Sequence, residues 1–232
     1  MRINEKGRSM IEMLGVLAII GVLSVGGIAG YSKAMAKFKA NKTIDLISHT
    51  VANTRILFGS QRDYEELDWT DDAVKIMAAN AKLFPDEVLR DGEKDDNGNW
   101  TTAPNFENAY AGRVGLYASH RLDTEDHKAF VVVLTGIPQS ACIDLATQDW
   151  AASSGSGFVA MKVVGSSEEK ITDIEPTLDS GIDGATLSGC AKDEETAGAT
   201  MICAKDGEPM KTLAATKGCS GTNFNNMYFK FF

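Results

Sequence analysis

Residues 6–33 read KGRSMIEMLGVLAIIGVLSVGGIAGYSK, in which one carboxylate, Glu12, directly precedes an uncharged apolar run from Met13 to Ser32. At about 1.5 Å per residue, about 20 helical residues span the hydrocarbon core of a bilayer. A charged side chain at the centre of a membrane helix costs about 2.5–3.5 kcal/mol and usually has a function. The stretch therefore predicts a membrane-spanning helix with a functional carboxylate near its start.

The helical pattern continues beyond the apolar run, with good helix formers and no proline up to residue 59. Apolar side chains there recur at helical spacings: Ile44, Ile47, Val51 and Phe58. We therefore expect one helix over residues 8–59, apolar on all sides over 10–32 and amphipathic over 33–59. A secretory signal peptide would have a shorter apolar core followed by a cleavage site.

Gly7 followed by Arg-Ser-Met-Ile-Glu and a long apolar helix resembles the prepilin signature of type IV pilins. The resemblance implies a leader peptide over residues 1–7, cleavage after Gly7 by a prepilin peptidase and N-methylation of Arg8. Residues 60–232 would then form the globular head. Arg8 departs from the family pattern, in which the first mature residue is usually Phe, Met or Leu.

The same resemblance gives Glu12 a role, because it would be the fifth mature residue. In the family this glutamate meets the N-terminal amine of a neighbouring subunit inside a filament core. An unpaired buried carboxylate is costly, whereas a paired one fixes register more than it adds stability. The implied partners are copies of the chain itself, the prepilin peptidase, the pilus assembly machinery and the inner membrane. The head would lie in the periplasm before assembly and in an extracellular pilus afterwards.

The composition argues against several other classes. The formal net charge is −9, and a nucleic-acid-binding domain would need a basic stripe instead. The acidic head surface is explained by solvation, or alternatively by lateral pairing with the lysine-rich part of a neighbour's helix. The three histidines, His49, His120 and His127, are not at metal-ligand spacing, so the sequence predicts no metal and no cofactor.

The chain has four cysteines and no CxxC pair: Cys142, Cys190, Cys203 and Cys219. An even number in an exported domain indicates two disulfides. Four cysteines allow three connectivities, and the residues alone do not choose among them.

The head reads as an α+β domain. The pattern predicts a helix over 70–81 with Thr70 as its N-cap, and strands over 114–118, 129–134, 158–164 and 227–232. A further helix is predicted within the segment Thr135–Ala146, with Pro138 near its first turn. The polar stretch over residues 91–99 predicts a hairpin turn at Asn97-Gly98 rather than a calcium loop, whose twelfth position would fall on Pro104.

The order of strand, Gly-Ile-Pro-Gln-Ser-Ala-Cys helix, strand and late cysteine before a terminal strand resembles type IVb pilin heads. The resemblance implies the α+β pilin fold, a long N-terminal helix packed on an antiparallel sheet with disulfides. It also implies a Cys142–Cys219 bond, which leaves Cys190–Cys203 as the second pair in a surface loop.

The function implied by the resemblance is a structural subunit of a type IVb-like pilus, used for adhesion, aggregation or conjugation. One alternative is a minor pilin, or a pseudopilin of a type II secretion system. Another, from a different class, is a membrane-anchored periplasmic enzyme. That reading would need a convergent Ser/His/Asp, Cys/His or metal set, and the sequence suggests none, so we expect no catalysis.

Overall fold

The structure is a computed structural model of the 232-residue chain. It describes residues 10–61, 63–121, 126–151, 156–166, 168, 170–171, 174–178, 182, 201–202, 212–219 and 224–232. The chain divides into two compact units, Met1–Lys39 and Ala40–Phe232. The first unit contains the start of helix α1 (Met10–Phe58), and the second contains the end of α1 and the whole head.

The second unit is built around an antiparallel sheet. After α1 its described elements are α2 (Asp72–Asn80), β1 (Leu89–Arg90), β2 (Asn105–Phe106), β3 (Val114–Ser119), β4 (Ala129–Ile137), α3 (Gln139–Ala146), β5 (Phe158–Ser166), β6 (Met201–Ile202), α4 (Thr212–Gly218) and β7 (Phe224–Phe231). Among the described residues, five strands form the main sheet in the order β3-β4-β7-β5-β6, and β1 pairs with β2. The predicted α+β fold, with a long N-terminal helix and an antiparallel sheet, is confirmed.

Strand β4 lies at the centre of the core, and all nine of its residues are buried. In the sheet register Phe130 pairs with Phe231 and Val132 pairs with Phe229. Tyr64, which follows α1, contacts Phe130 with ring centroids 4.8 Å apart. Tyr64 also contacts Phe58 of α1, with ring centroids 5.6 Å apart. Phe231 lines a groove together with Ile47 of α1, so this row of side chains faces the second part of α1.

The second part of α1 packs on the sheet through side chains spaced three and four residues apart. The buried ones are Ala40, Thr43, Leu46, Ile47, Thr50, Val51, Thr54 and Phe58. Three of these are threonines, which the apolar pattern alone does not select. Thr50 Oγ1 and Thr54 Oγ1 are buried without a hydrogen-bond partner among the described residues, which makes these two hydroxyls exceptions to the usual pairing of buried polar groups.

The opposite face of the sheet is covered by the chain that follows β5. Tyr117 Oη donates a hydrogen bond to Pro176 O, and Thr135 Oγ1 donates one to Ile174 O at 3.2 Å. Lys230, which is fully buried, donates from Nζ to Ile182 O at 2.8 Å. Hydrogen bonds to three strands therefore hold this segment against the sheet.

Some predicted details need correction. Residues 135–137 end strand β4 and are not the start of α3, which begins at Gln139. The N-cap of α2 is Asp71, whose side chain accepts from Ala73 N, and not Thr70. Thr70 instead donates from both its backbone N and its Oγ1 to Asp68 Oδ1, so it belongs to the preceding turn. The last strand begins at Phe224, three residues before the predicted start, because Asn225 and Asn226 continue the ladder.

Candidate assembly surface

The first unit exposes apolar side chains all round α1. Met10 is 83% exposed, Val22 75% and Leu23 69%, so side chains on every side of this part of the helix lack cover from the described residues. An 18-residue window in α1 has a mean hydropathy of 2.2, and none of it is buried. A surface of this size and composition is long and apolar enough to cross a membrane.

Glycines are spread along the same part of α1. A Cβ added at any of them meets no atom of the described chain within 4 Å: Gly15, Gly21, Gly26, Gly27 and Gly30. Packing against the described residues therefore does not require these glycines. Small residues in membrane helices allow other helices to approach closely.

Glu12 lies in the first turn of α1, and its side chain is exposed. A carboxylate at this end of a helix is stabilised by the positive end of the helix dipole. Gly7 and Arg8, the predicted processing residues, lie outside the described residues.

In the second unit, Arg55 connects α1 to the C-terminal part of the head. Its Nη2 donates to Ser156 O and to Phe232 O, both at 2.5 Å. Burial lowers the pKa of the Arg55 guanidinium. A groove of about 360 Å³ lies beside it, lined by Ile44, Val51, Trp150 and Phe231 among others.

A disulfide joins Cys142 in α3 to Cys219, which directly follows α4. The Cα atoms are 5.8 Å apart, and the bond spans 77 residues of sequence. Both cysteines are fully buried. This is the pairing that the resemblance to type IVb pilins implied. Cys190 and Cys203 lie outside the described residues.

The polar stretch at residues 91–99 forms a turn stabilised by its own carboxylate. Asp95 Oδ1 accepts from Asn97 N at 2.9 Å and from Asn99 N at 2.8 Å, and Gly98 has a φ of +83°. These hydrogen bonds, chiefly those from Asn99, lower the pKa of Asp95. The carboxylate thus has a structural role in the turn.

Sequence reasoning missed one juxtaposition of potential ligands. The rings of His120 and His127 lie with their centroids 4.6 Å apart, although seven positions separate them in sequence. His49 lies elsewhere, on α1 beside Asn53. Within the described ranges, no group of three or more His, Cys, Asp or Glu side chains could hold a metal ion. The strand pairing that brings the two rings together could have suggested their proximity.

A long helix, exposed and apolar in its first part and packed on an antiparallel sheet in its second, defines together with the Cys142–Cys219 bond a type IVb-like pilin. The chain belongs to the PilS N-terminal family, whose model matches residues 37–204.

Solved pilin structures are among those similar to this chain. One is the type IV b pilin from Salmonella typhi, at 12% identity and a TM-score of 0.45, covering 78% of this chain and 92% of that one. Another is TcpA, a type IV pilin from Vibrio cholerae El Tor biotype, at 16% identity and a TM-score of 0.46, covering 83% of this chain and 98% of that one. No curated protein matches in sequence.

Proposed function

We propose that this chain is a structural subunit that polymerises through the first part of α1 into a type IVb-like pilus. The observation that carries the proposal is the exposed apolar surface of residues 10–32, which needs lipid or other helices around it. Before assembly the inner membrane supplies that environment, with the head in the periplasm. In the extracellular fibre, copies of the same helix supply it, and the heads form the surface used for adhesion, aggregation or conjugation.

Processing precedes assembly in this proposal. The prepilin peptidase cleaves after Gly7, and Arg8 becomes the methylated N-terminal residue. The basis is the sequence around the cleavage position, since this segment lies outside the described residues. Cleavage would place a free amine four residues before Glu12, at the same end of the helix.

Glu12 would fix the register between neighbouring subunits. Its carboxylate lies in the first turn of α1, just before the apolar surface, so assembly moves it from water into an apolar core. Removing a carboxylate from water costs several kcal/mol unless a cation accompanies it. The N-terminal amine of a neighbouring subunit is the cation that we assign to it.

The test replaces Glu12 in cells that carry only the variant copy. Glu12→Ala should be exported and cleaved normally, yet form few or no surface fibres by electron microscopy. Glu65→Ala is the matched control, because Glu65 is an exposed carboxylate of the head and the fibre core does not involve it. Normal fibres from Glu12→Ala would contradict the proposal.

A second variant tests which cation near the mature N-terminus pairs with Glu12, the N-terminal amine or the Arg8 guanidinium. If the amine is the partner of Glu12, Arg8→Ala should still assemble, because the amine is unchanged. Mass spectrometry of the mature chain should show residue 8 as the first residue. Loss of fibres in Arg8→Ala with cleavage intact would assign the guanidinium instead, and an uncleaved Met1 would refute the processing step.

A further inference from the structure

Two histidines lie between β3 and β4, and the fold brings their rings close together. The ring planes of His120 and His127 are inclined at 40°, and both side chains are partly exposed. The β3–β4 ladder ends at the pair Ser119 and Ala129, directly beside them. Tyr64 N also donates to His127 O at 2.7 Å. The backbone on both sides of the ring pair is therefore held by regular structure.

We propose that His120 and His127 form a two-imidazole site for a divalent late transition-metal ion. Imidazole nitrogen suits Cu²⁺, Ni²⁺ and Zn²⁺, and for a given nitrogen site Cu²⁺ binds most tightly of these. Mg²⁺ prefers oxygen ligands and should not bind. The site lies in the head and is independent of the assembly role of α1.

The separation of the rings fits this chemistry. Two imidazole nitrogens, each about 2.1 Å from one metal ion, lie about 3 Å apart when the ligand angle is about 90°. The ring centroids are 4.6 Å apart, which is close enough for side-chain rotation to bring one nitrogen of each ring to that separation. Each imidazole has two nitrogens, so one can bind the metal while the other keeps a hydrogen bond.

Charged side chains around the two rings affect the affinity of the site for a metal ion. The carboxylate of Asp126, the residue before His127, lies 2.5 Å from Lys128 Nζ. Its negative charge would offset part of the positive charge of a bound metal ion. Arg121 is oriented over the Phe232 ring, at 5.6 Å from its centroid. In the described part of the chain no third ligating side chain joins the two rings. Water would complete the coordination, so the site would bind an exchangeable ion rather than a structural one.

The test uses the full-length chain in detergent, non-reduced and without a histidine tag. Calorimetric titration with Cu²⁺ should show one ion bound per chain, and His120→Asn or His127→Asn should weaken binding at least about tenfold. Lowering the pH should weaken it as well, because protons compete for the imidazole nitrogens. Electron paramagnetic resonance of the Cu²⁺ complex should show two coupled nitrogens, and one in each variant.

Two controls make the result decisive. His49→Asn should leave Cu²⁺ affinity unchanged, since His49 lies on α1 beside Asn53, and Mg²⁺ should give no binding heat. The proposal is overturned if the unaltered chain binds no Cu²⁺. It is equally overturned if both single variants bind as tightly as the unaltered chain, or if the spectrum shows one nitrogen throughout.

Discussion

At the scale of single residues, position 157 requires glycine because of its backbone conformation and the atoms around it. Its φ is +57°, and a Cβ placed there would lie 1.8 Å from Arg55 Nη2 and 2.6 Å from Phe232 O. A side chain would therefore displace the guanidinium that donates to Ser156 O and Phe232 O. Hydrogen bonds made by a charged group each contribute about 1.5–3 kcal/mol.

We therefore predict that Gly157→Ala lowers the free energy of unfolding by about 2–4 kcal/mol, through backbone strain and loss of the Arg55 contacts. Gly98→Ala is the matched control, because Gly98 also has a positive φ, +83°, but open space around its Cβ position. Gly98→Ala should lower the free energy of unfolding by about 1 kcal/mol. Urea denaturation of both variants checks the difference, and equal losses would show that the Arg55 contacts contribute nothing.

Tyr117 gives the head a pH dependence. Burial, followed by the nearby Asp68, Tyr228 and Glu175, raises the pKa of Tyr117 from 10.0 to about 12. The unfolded chain loses the phenol proton at the lower pH, while the folded chain keeps it. The folded state therefore binds more protons between these values, and stability must fall as pH rises from 10 towards 12.

The expected loss from Tyr117 is up to about 2 kcal/mol across that range, at about 1.4 kcal/mol per pKa unit. Tyr117→Phe should reduce this alkaline slope and leave the slope between pH 6 and 9 unchanged. Urea denaturation of both proteins at a series of pH values measures the two slopes. If the unaltered chain and Tyr117→Phe have the same slope above pH 10, the Tyr117 phenol titrates alike in the folded and unfolded states, and the account of its burial is wrong.

At the scale of elements, α1 and β4 were the easiest to predict. Their signals are long: 20 uncharged residues in one case and a continuous β-branched apolar run in the other. The two-residue strands β1, β2 and β6 were not predicted, because so short a pairing has no periodicity and depends on tertiary contacts. Helix α4 was also missed, since its seven residues are mostly small and polar.

The Cys142–Cys219 bond fixes α3 next to the chain that enters β7. Closing so long a loop stabilises the folded state by up to about 4.5 kcal/mol on the chain-entropy model. We predict that the double variant Cys142→Ser, Cys219→Ser loses much of that free energy and that its head becomes protease-sensitive. The double variant Cys190→Ser, Cys203→Ser is the matched control, because the bond that we predict for this pair would close a shorter loop and add only about 3 kcal/mol.

Guanidinium denaturation under non-reducing conditions compares the two double variants. If the Cys142–Cys219 variant is as stable as the unaltered chain, the bond adds nothing to the head. The choice of this pairing could not come from the cysteine spacing, which allows three connectivities. It depended on the resemblance of the head, and the buried geometry of both residues agrees with it.

At the scale of the whole molecule, the sequence predicted the parts with repeated physical signals and missed the contacts between distant residues. The apolar surface of α1 and the sheet follow from hydrophobic pattern. The contact of His120 with His127, the cover over Tyr117 and the link from Arg55 to Phe232 do not, because each depends on how separate segments meet. Glu12 stood out by its position before an apolar run, whereas its assembly role came from the resemblance to type IV pilins and remains a proposal, as does its pairing.

The central claim is that copies of this chain join through the apolar surface of α1. Cryo-electron microscopy of fibres purified from cells expressing the chain measures this directly. We predict a helical fibre with residues 10–32 of many copies bundled at its axis, the heads outside, and Glu12 within hydrogen-bonding distance of a neighbour's N-terminal amine. Fibres in which this helix lies at the surface, or fibres that lack the chain while it stays in the membrane, would contradict the account.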